Sequence, residues 1–247
     1  MLLLALPPAI YLACLLETYS PHAWSRIARQ WASLSLILLA YWSLQMLSGP
    51  RLSQWEARWI AWDRYLLDGL GFRAALESYG RAIPTALESF YLLLYTLPPA
   101  SLALLYLTGR RHRSRQFLFV LFLGTFAAYL LIPAIPVASP RAAFPGVDLP
   151  SFHTLPRSVN VWLLDHLDIT TGVFPSGHVA VAFSCAFGLL TAAPRRRLIW
   201  CSAFLVAFLV YTATVYGRYH YAVDGLASML IAAVAWQFAS RLNVHAV

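Results

Sequence analysis

Long apolar runs, separated by short polar or arginine-containing stretches, dominate the hydrophobic pattern of this chain. A helix needs roughly 20 residues to cross a bilayer. Seven runs come near that length, some with their flanking residues: about 2–18, 32–48, 86–108, 116–133, 181–193, 198–216 and 221–240. The pattern predicts an all-α fold, a polytopic transmembrane helical bundle with about six to seven crossings.

Residues 51–84 are too charged to cross a membrane. Their large apolar side chains nevertheless recur at near-helical spacing, as Leu52, Trp55, Trp59, Trp62 and Leu66. The spacing predicts a Trp-rich amphipathic helix that lies in the membrane interface. Such a helix either borders the route by which a lipid enters or packs against the bundle.

Two further features divide the chain. Pro98-Pro99 falls in the middle of the third crossing and predicts a kink there, because proline removes a helical hydrogen bond. Residues 134–172 are rich in proline and polar groups and predict a long loop. We expect residues 1–84 to form N-terminal transmembrane helices with the interfacial segment, and residues 85–247 to form a catalytic helical core.

Composition agrees with a membrane protein. The 247 residues are 60% hydrophobic and 11% charged, whereas a soluble domain is typically ~45–50% apolar and ~25% charged. The formal net charge is +8, and every cationic side chain other than histidine is arginine. Arginines cluster in two short loops, Arg110–Arg115 and Arg195–Arg197, which is the positive-inside pattern. Topology therefore explains the basic charge better than nucleic-acid binding does.

The candidate chemistry lies in two motifs. The first is Phe174-Pro175-Ser176-Gly177-His178, and the second runs from Gly217 to Asp224 and contains His220. Two crossings separate the motifs and return the chain to the face that it left. The sequence therefore predicts that His178 and His220 meet at one membrane surface. With the arginine loops in the cytoplasm, that surface is extracytoplasmic.

The first motif favours an anion site at a helix start. Pro175 suits the beginning of a helix, and Ser176 and Gly177 leave first-turn N–H groups unpaired. These groups and the helix dipole attract an anion, and His178 can donate a proton to it. Taken alone, the motif could equally be a helix cap.

In the second motif, His220 and Asp224 are four residues apart and share one helical face. A carboxylate that holds one imidazole nitrogen leaves the other free as a nucleophile. Arg218 can add a fixed positive charge. The bland alternative is a buried polar contact, but ionisable groups in membrane segments are costly and usually functional.

A third element, Tyr129–Pro133 followed by Ser139-Pro140-Arg141, places Arg141 on the same face. Two guanidiniums with helix-end amides suit a tetrahedral oxyanion such as phosphate. Arg141 could instead be an ordinary interfacial charge, and His153 and Arg157 are weaker ligand candidates. A metal held by the two histidines and the aspartate is disfavoured because the arginines oppose a cation; we expect no cofactor.

Together, the Pro-Ser-Gly-His string and the arginine-containing motif that ends His-x-x-x-Asp resemble the type-2 phosphatidic acid phosphatase superfamily. The similarity covers about residues 85–240. The resemblance implies a metal-independent enzyme in which His220 forms a phosphohistidine, Asp224 orients it and His178 protonates the leaving group. It also implies that Ser176, Gly177, Arg218 and Arg141 bind the phosphoryl oxygens.

Two departures from the family pattern stand out. The usual first motif, a lysine followed seven residues later by Arg-Pro, is missing, and Thr214 replaces the arginine six residues before the nucleophilic histidine. Arg141 and Arg218 are the proposed substitutes. The pattern is more similar to the branch that includes inositol phosphorylceramide synthases, which favours transfer to an alcohol.

Three functions stay open from the sequence. The first is a phosphatase that acts on a membrane phospholipid or a polyprenyl (di)phosphate in the plasma or inner membrane. The second is a phosphotransferase that moves a phospho-headgroup to an alcohol, and the third is a non-catalytic lipid-binding or transport protein. We expect partners to be the lipid substrate and the bilayer but not nucleic acid; the oligomeric state is open.

Overall fold

A computed structural model describes residues 23–169 and 172–242, and in these ranges the chain is helical with no β-strand. The expected first crossing, residues 2–18, lies outside the described ranges. The N-terminal helices are α1 (Ala23–Ser33), α2 (Ser35–Ser43), α3 (Ser53–Arg64) and α4 (Phe72–Glu77). Because α1 and α2 are short and separated at Leu34, the expected second crossing at 32–48 is not one continuous helix.

Within the described residues, four helical segments are long and apolar enough to cross a membrane, which confirms an all-α polytopic protein. They are Ala82–Leu107, Arg111–Ala134, Arg197–Tyr216 and Ala222–Arg241. The first contains α5 (Ala82–Leu93) and α6 (Leu97–Leu107), and the second contains α7 (Ser114–Leu131). The last two are α11 (Arg197–Tyr216) and α12 (Ala222–Arg241).

The irregularity predicted at Pro98-Pro99 is present. A 3₁₀ turn, Leu94–Thr96, separates α5 from α6, and the prolines lie in the first turn of α6. Proline has no N–H to donate to the preceding turn, so the regular helix stops there and begins again.

The central helix is α10 (Gly177–Ala192), which packs against α7, α11 and α12. Its 16 residues span about 24 Å, less than the ~30 Å hydrocarbon core. Close approach to α7 depends on glycine, because a Cβ on Gly188 would lie 3.0 Å from the Phe117 carbonyl oxygen. Because other helices surround α10, the backbone of Gly177 and His178 at its start has a fixed position in the bundle.

Helix α3 is amphipathic, but its buried face is not simply the predicted tryptophan stripe. Trp59 is buried, whereas Trp55 and Trp62 are exposed. Two carboxylates, Glu56 and Asp63, share the buried face with Trp59. The contacts of this face support packing against the bundle, and the lipid-entry role stays a prediction.

The region 134–172 contains more helix than the predicted loop. It holds α8 (Pro140–Ala143) and the 13-residue α9 (Leu155–Leu167). Proline and polar residues suggested a loop, but proline fits the first helical turn. The Thr154 side chain caps α9 by accepting a hydrogen bond from the Arg157 N–H. The division of the chain at residue 84 stays a prediction.

Candidate active site

The two histidines of the motifs lie side by side. His178 is in the first turn of α10, and His220 is in the short connection between α11 and α12. His178 Nδ1 and His220 Nε2 are 3.1 Å apart. Because α10 and α11 form a hairpin that returns the chain to the end where it began, residues far apart in sequence become neighbours, as the sequence predicts.

The surroundings of His220 determine which ring nitrogen carries the proton. Nδ1 is 3.1 Å from the Val173 carbonyl oxygen and 3.4 Å from Asp224 Oδ2. Both oxygens accept hydrogen bonds, so Nδ1 must be the protonated nitrogen. The lone pair therefore lies on Nε2, which faces His178 and is the nitrogen able to attack an electrophile.

Burial keeps His220 neutral. Only 4% of the residue is exposed. Burial lowers the pKa of the His220 imidazole to about 4, although Asp168 and the Val173 carbonyl act in the opposite direction. At neutral pH its Nε2 lone pair is consequently available rather than protonated.

Asp224 ties the two motifs together. Its Oδ2 accepts a hydrogen bond from the Tyr221 N–H at 2.9 Å, which closes a capping box at the start of α12. Its backbone carbonyl accepts from the Ser176 N–H at 3.2 Å, and Ser228 Oγ donates to the Ser176 carbonyl at 2.8 Å. The start of α10 is thereby fixed against the start of α12.

The start of α10 has the form that an anion site requires. Ser176 caps the helix, with Oγ accepting from the Val179 N–H at 3.3 Å. The amides of Gly177 and His178 are in the first turn, where a helix offers no internal acceptor. Gly177 packs closely against Tyr129, because a Cβ there would lie 3.0 Å from the Tyr129 ring.

Tyrosines that the motifs do not contain surround His178. The hydroxyls of Tyr91 and Tyr95 are 3.3 and 3.5 Å from His178 Nε2. Tyr41 packs edge-on against the same imidazole and donates to Asp168 Oδ1. The i, i+4 spacing of Tyr91 and Tyr95 on an apolar helix was the only sequence signal for this cluster.

Arg218 is not hydrogen-bonded to either histidine. Its backbone is left-handed, with φ of 66°, and its Nη1 pairs with Asp63 Oδ2 at 3.1 Å. The other oxygen of Asp63 accepts from the Ala222 N–H at 3.0 Å. Asp63 on α3 therefore contacts the connection that carries His220 on both sides of the histidine, at Arg218 and at Ala222. The sequence did not predict this role.

Burial opposes the charges of this pair. It raises the pKa of Asp63 to about 6 against the effect of Arg218, and it lowers the pKa of Arg218. Both residues are only 1% exposed. Nε and Nη2 of Arg218 have no hydrogen-bond partner, so the guanidinium retains two donors for another group.

Arg141 contacts the connection that carries His220 through its backbone. Its N–H donates to the Arg218 carbonyl at 3.1 Å. Its side chain points to Asp165 instead, with Nη1 to Oδ1 at 2.7 Å. The structure thus places Arg141 beside the site with its guanidinium engaged by a carboxylate.

A second buried network supports the connection from the other side. Arg157 Nη1 donates to Glu88 Oε1 at 2.8 Å and to the Gly217 carbonyl at 3.3 Å. Tyr219 donates to Glu88 Oε2 at 2.6 Å, and Asn160 donates to the same oxygen at 2.7 Å. Arg157, predicted as a weak ligand candidate, is thus paired with Glu88.

Metal ligation is not evident in the geometry. Within residues 23–169 and 172–242, no group of three or more His, Cys, Asp or Glu side chains is arranged to hold a metal ion. The arrangement instead offers a neutral nucleophilic nitrogen, a neighbouring imidazole and unpaired helix-start amides.

Comparison with known proteins identifies the family of the chain. No curated protein and no solved structure matches the chain. The model of one family, the PAP2 superfamily, matches residues 57–238, which include most of α3, both motifs and most of α12. Since the match covers well over half of the sequence, the resemblance identified from the two motifs is confirmed, and the chain belongs to the PAP2 superfamily, whose membership supports a phosphatase-like function on lipid phosphates.

Proposed function

We propose that the protein is a metal-independent membrane lipid phosphatase that hydrolyses a phosphomonoester or diphosphate through a phosphohistidine on His220. The observation that carries the proposal is the tautomer of His220. The Val173 carbonyl fixes the proton on Nδ1, and the Nε2 lone pair faces His178. A nucleophile beside a group able to exchange protons is what covalent phosphoryl transfer needs.

The reaction has two balanced halves. His220 Nε2 attacks phosphorus while the bond between phosphorus and the leaving oxygen breaks, and protonated His178 gives its proton to that oxygen. Neutral His178 then removes a proton from water, whose oxygen attacks the phosphohistidine. The N–P bond breaks, phosphate leaves, and both imidazoles return to their first state.

Substrate entry requires the histidines to separate, because no phosphoryl group fits between nitrogens 3.1 Å apart. His220 is held by Val173 and Asp224 and is nearly fully buried. His178 is partly exposed, and its Nε2 contacts to tyrosine hydroxyls are long. His178 is therefore the residue that moves aside when phosphate binds.

Phosphate oxygens would bind at the start of α10 and at the two arginines. The first-turn amides after Ser176, including that of Gly177, supply donors without any change. Two donor nitrogens of Arg218, Nε and Nη2, have no hydrogen-bond partner. Arg141 must exchange Asp165 for phosphate, which an exposed ion pair permits at small cost.

Transfer to an alcohol is the second candidate function. It shares the first half-reaction and differs in the acceptor that His178 deprotonates. The His-Tyr-x-x-Asp form of the second motif and the altered first motif favour it. A non-catalytic lipid-binding role is the third, and the tautomer of His220 argues against it.

We place the site on the extracytoplasmic face of the plasma or inner membrane. The basis is the charge distribution, since the arginine-rich connections 108–115 and 194–197 lie at the opposite end of the bundle from the histidines. Basic loops remain in the cytoplasm. The substrate is then a phospholipid or polyprenyl phosphate of the outer leaflet.

The test is turnover of purified protein with phosphatidic acid and polyprenyl diphosphate, with EDTA present. We expect release of inorganic phosphate. With substrate labelled in its phosphate and a quench without acid, which preserves phosphohistidine, the label should be found on His220. His220→Gln should lower kcat by about 10⁴-fold or more, as removal of a nucleophile does. Headgroup exchange without phosphate release would favour transferase activity, and turnover by His220→Gln at the wild-type rate would contradict both.

A further inference from the structure

A basic pocket lies at the end of the bundle opposite the histidines. It is formed by the α6–α7 connection, which supplies Thr108 and Arg110, by the α10–α11 connection, which supplies Arg195 and Arg196, and by Arg197 at the start of α11. Its volume is about 420 Å³. That size is within the ~300–1,000 Å³ range of small-molecule sites.

The pocket concentrates positive charge. Four of its seven lining residues are arginines, and no lining residue is acidic. Like charges gathered from two connections repel one another, and the repulsion is relieved by a bound anion. The guanidinium fork matches phosphate in geometry, and it does so better than the point charge of a lysine.

The remaining wall of the pocket is aliphatic. Leu198 and Ile199, in the first turn of α11, complete the lining. Leu198 is 81% exposed, so an apolar surface adjoins the charged one at the membrane boundary. Basic pockets between transmembrane helices recognise anionic lipid headgroups in this way.

We propose that this pocket, formed by Arg110 and Arg195–Arg197, binds the phosphate group of an anionic ligand at the membrane end remote from the histidines. The source of the phosphate is an anionic phospholipid headgroup or free phosphate. The aliphatic wall favours the lipid. The pocket is independent of the proposed reaction, because the full length of α10 separates it from His178.

The test measures binding to purified full-length protein in neutral detergent. The probes are phosphatidylglycerol, phosphatidylcholine and inorganic phosphate, and the readouts are bound lipid by native mass spectrometry and the shift in Tm. We expect phosphatidylglycerol, but not phosphatidylcholine, to bind and to raise Tm. Millimolar phosphate that displaces the lipid would identify free phosphate as a ligand, whereas failure to displace identifies the lipid.

Variants connect the binding to the pocket. The double variant Arg196→Gln/Arg197→Gln should weaken phosphatidylglycerol binding about tenfold or more, since each arginine near a lipid surface contributes roughly a fivefold factor. Arg196→Lys/Arg197→Lys keeps both positive charges and should retain most of the binding, and an unchanged Tm of the glutamine variant without lipid excludes misfolding. Arg241→Gln, at the same end but outside the pocket, should bind as wild type does.

Two results would overturn the proposal. One is equal binding of phosphatidylglycerol and phosphatidylcholine. The other is wild-type affinity for both phosphatidylglycerol and phosphate in the glutamine double variant. Neither result concerns His220, so the proposed reaction would stand or fall separately through phosphate release.

Discussion

The two ends of the helical bundle differ in how their arginines are balanced. Among the residues that the structure describes, six arginines at the histidine end form ion pairs with carboxylates: Arg51, Arg64, Arg73, Arg141, Arg157 and Arg218. At the opposite end, four arginines line a pocket to which no carboxylate contributes. The same residue type is therefore paired with carboxylates at one end and lines a pocket without carboxylates at the other.

Acidic residues explain the difference. Every acidic residue in the described ranges contacts a segment at the histidine end: Glu56, Asp63, Asp68, Glu77, Glu88, Asp148, Asp165, Asp168 and Asp224. Orientation in a membrane follows the arginines and lysines of short connections, and acidic residues contribute little to it. The connections 108–115 and 194–197 carry such arginines and contain no acidic residue.

The largest expected effect concerns the proton donor at the histidine end. His178→Asn should lower kcat by about 10²–10⁴-fold, the usual contribution of general acid–base catalysis. His220 would keep its Val173 and Asp224 contacts, so the phosphohistidine should still form slowly from a substrate whose leaving group needs no proton, such as p-nitrophenyl phosphate. Equal losses for good and poor leaving groups would contradict the assignment of His178 as the acid.

The second prediction compares a buried and an exposed ion pair. Arg157→Met leaves Glu88 buried without its cation, and breaking such a pair typically costs about 3–5 kcal/mol of unfolding free energy. Arg141→Met removes a pair whose partner Asp165 is half-exposed, for which about 0–1 kcal/mol is typical. Unfolding in detergent by heat or SDS measures both.

Activity provides the control for this comparison. If Arg141 binds phosphate, Arg141→Met should raise KM for the lipid phosphate while leaving Tm nearly unchanged. A variant that loses neither stability nor affinity would show that Arg141 is an ordinary interfacial charge.

Sequence reasoning reached the histidine pair because two crossings must return a chain to the same face. That inference needed only the lengths of α10 and α11 and the positions of His178 and His220. It did not reach the pairs that Asp63 makes with Arg218 and Glu88 makes with Arg157. Helical periodicity predicts which residues share a face, as Glu56 and Asp63 do with Trp59. It does not predict which arginine, distant in sequence, pairs with a carboxylate on that face.

The site arginines illustrate the same limit. Spacing placed Arg218 near His220 correctly, but the left-handed backbone at Arg218 directs its side chain to Asp63. Nothing in the local pattern distinguishes a guanidinium aimed at phosphate from one held by a carboxylate, because both are equally close to the motif in sequence.

The third prediction addresses the pair of Asp63 and Arg218. Asp63→Asn keeps an acceptor for the Ala222 N–H but puts an amide NH₂ where Oδ2 accepts from Arg218, and we expect a loss of about 2 kcal/mol in unfolding free energy at pH 7.5, typical of a buried charged donor left without its acceptor. The connection that carries His220 then loosens, and kcat/KM should fall about tenfold. An increase in phosphate affinity would mean instead that Asp63 competes with phosphate for Arg218.

The pH dependence of stability gives the same variant a second readout. Burial raises the pKa of Asp63 to about 6, above its ordinary value, so the folded state holds a proton that the unfolded state has lost. The contribution of Asp63 is therefore fully present below the ordinary pKa and is lost as pH rises through about 6. In Asp63→Asn that decrease between pH 4 and 6 should be absent.

The smallest expected effect is that of Arg241, at the arginine end of α12. This helix has Asp224 in its first turn and ends at Arg241, an exposed residue in its last turn. Arg241→Gln should change unfolding free energy by less than about 0.5 kcal/mol, as surface substitutions do, and kcat by less than twofold. Because the polar contacts that orient His220 all lie at the other end of α12, only a rigid displacement of the whole helix could transmit the change. A loss of turnover in this variant would show that the two ends are mechanically coupled, and the separation of their charges would then no longer imply a separation of their functions.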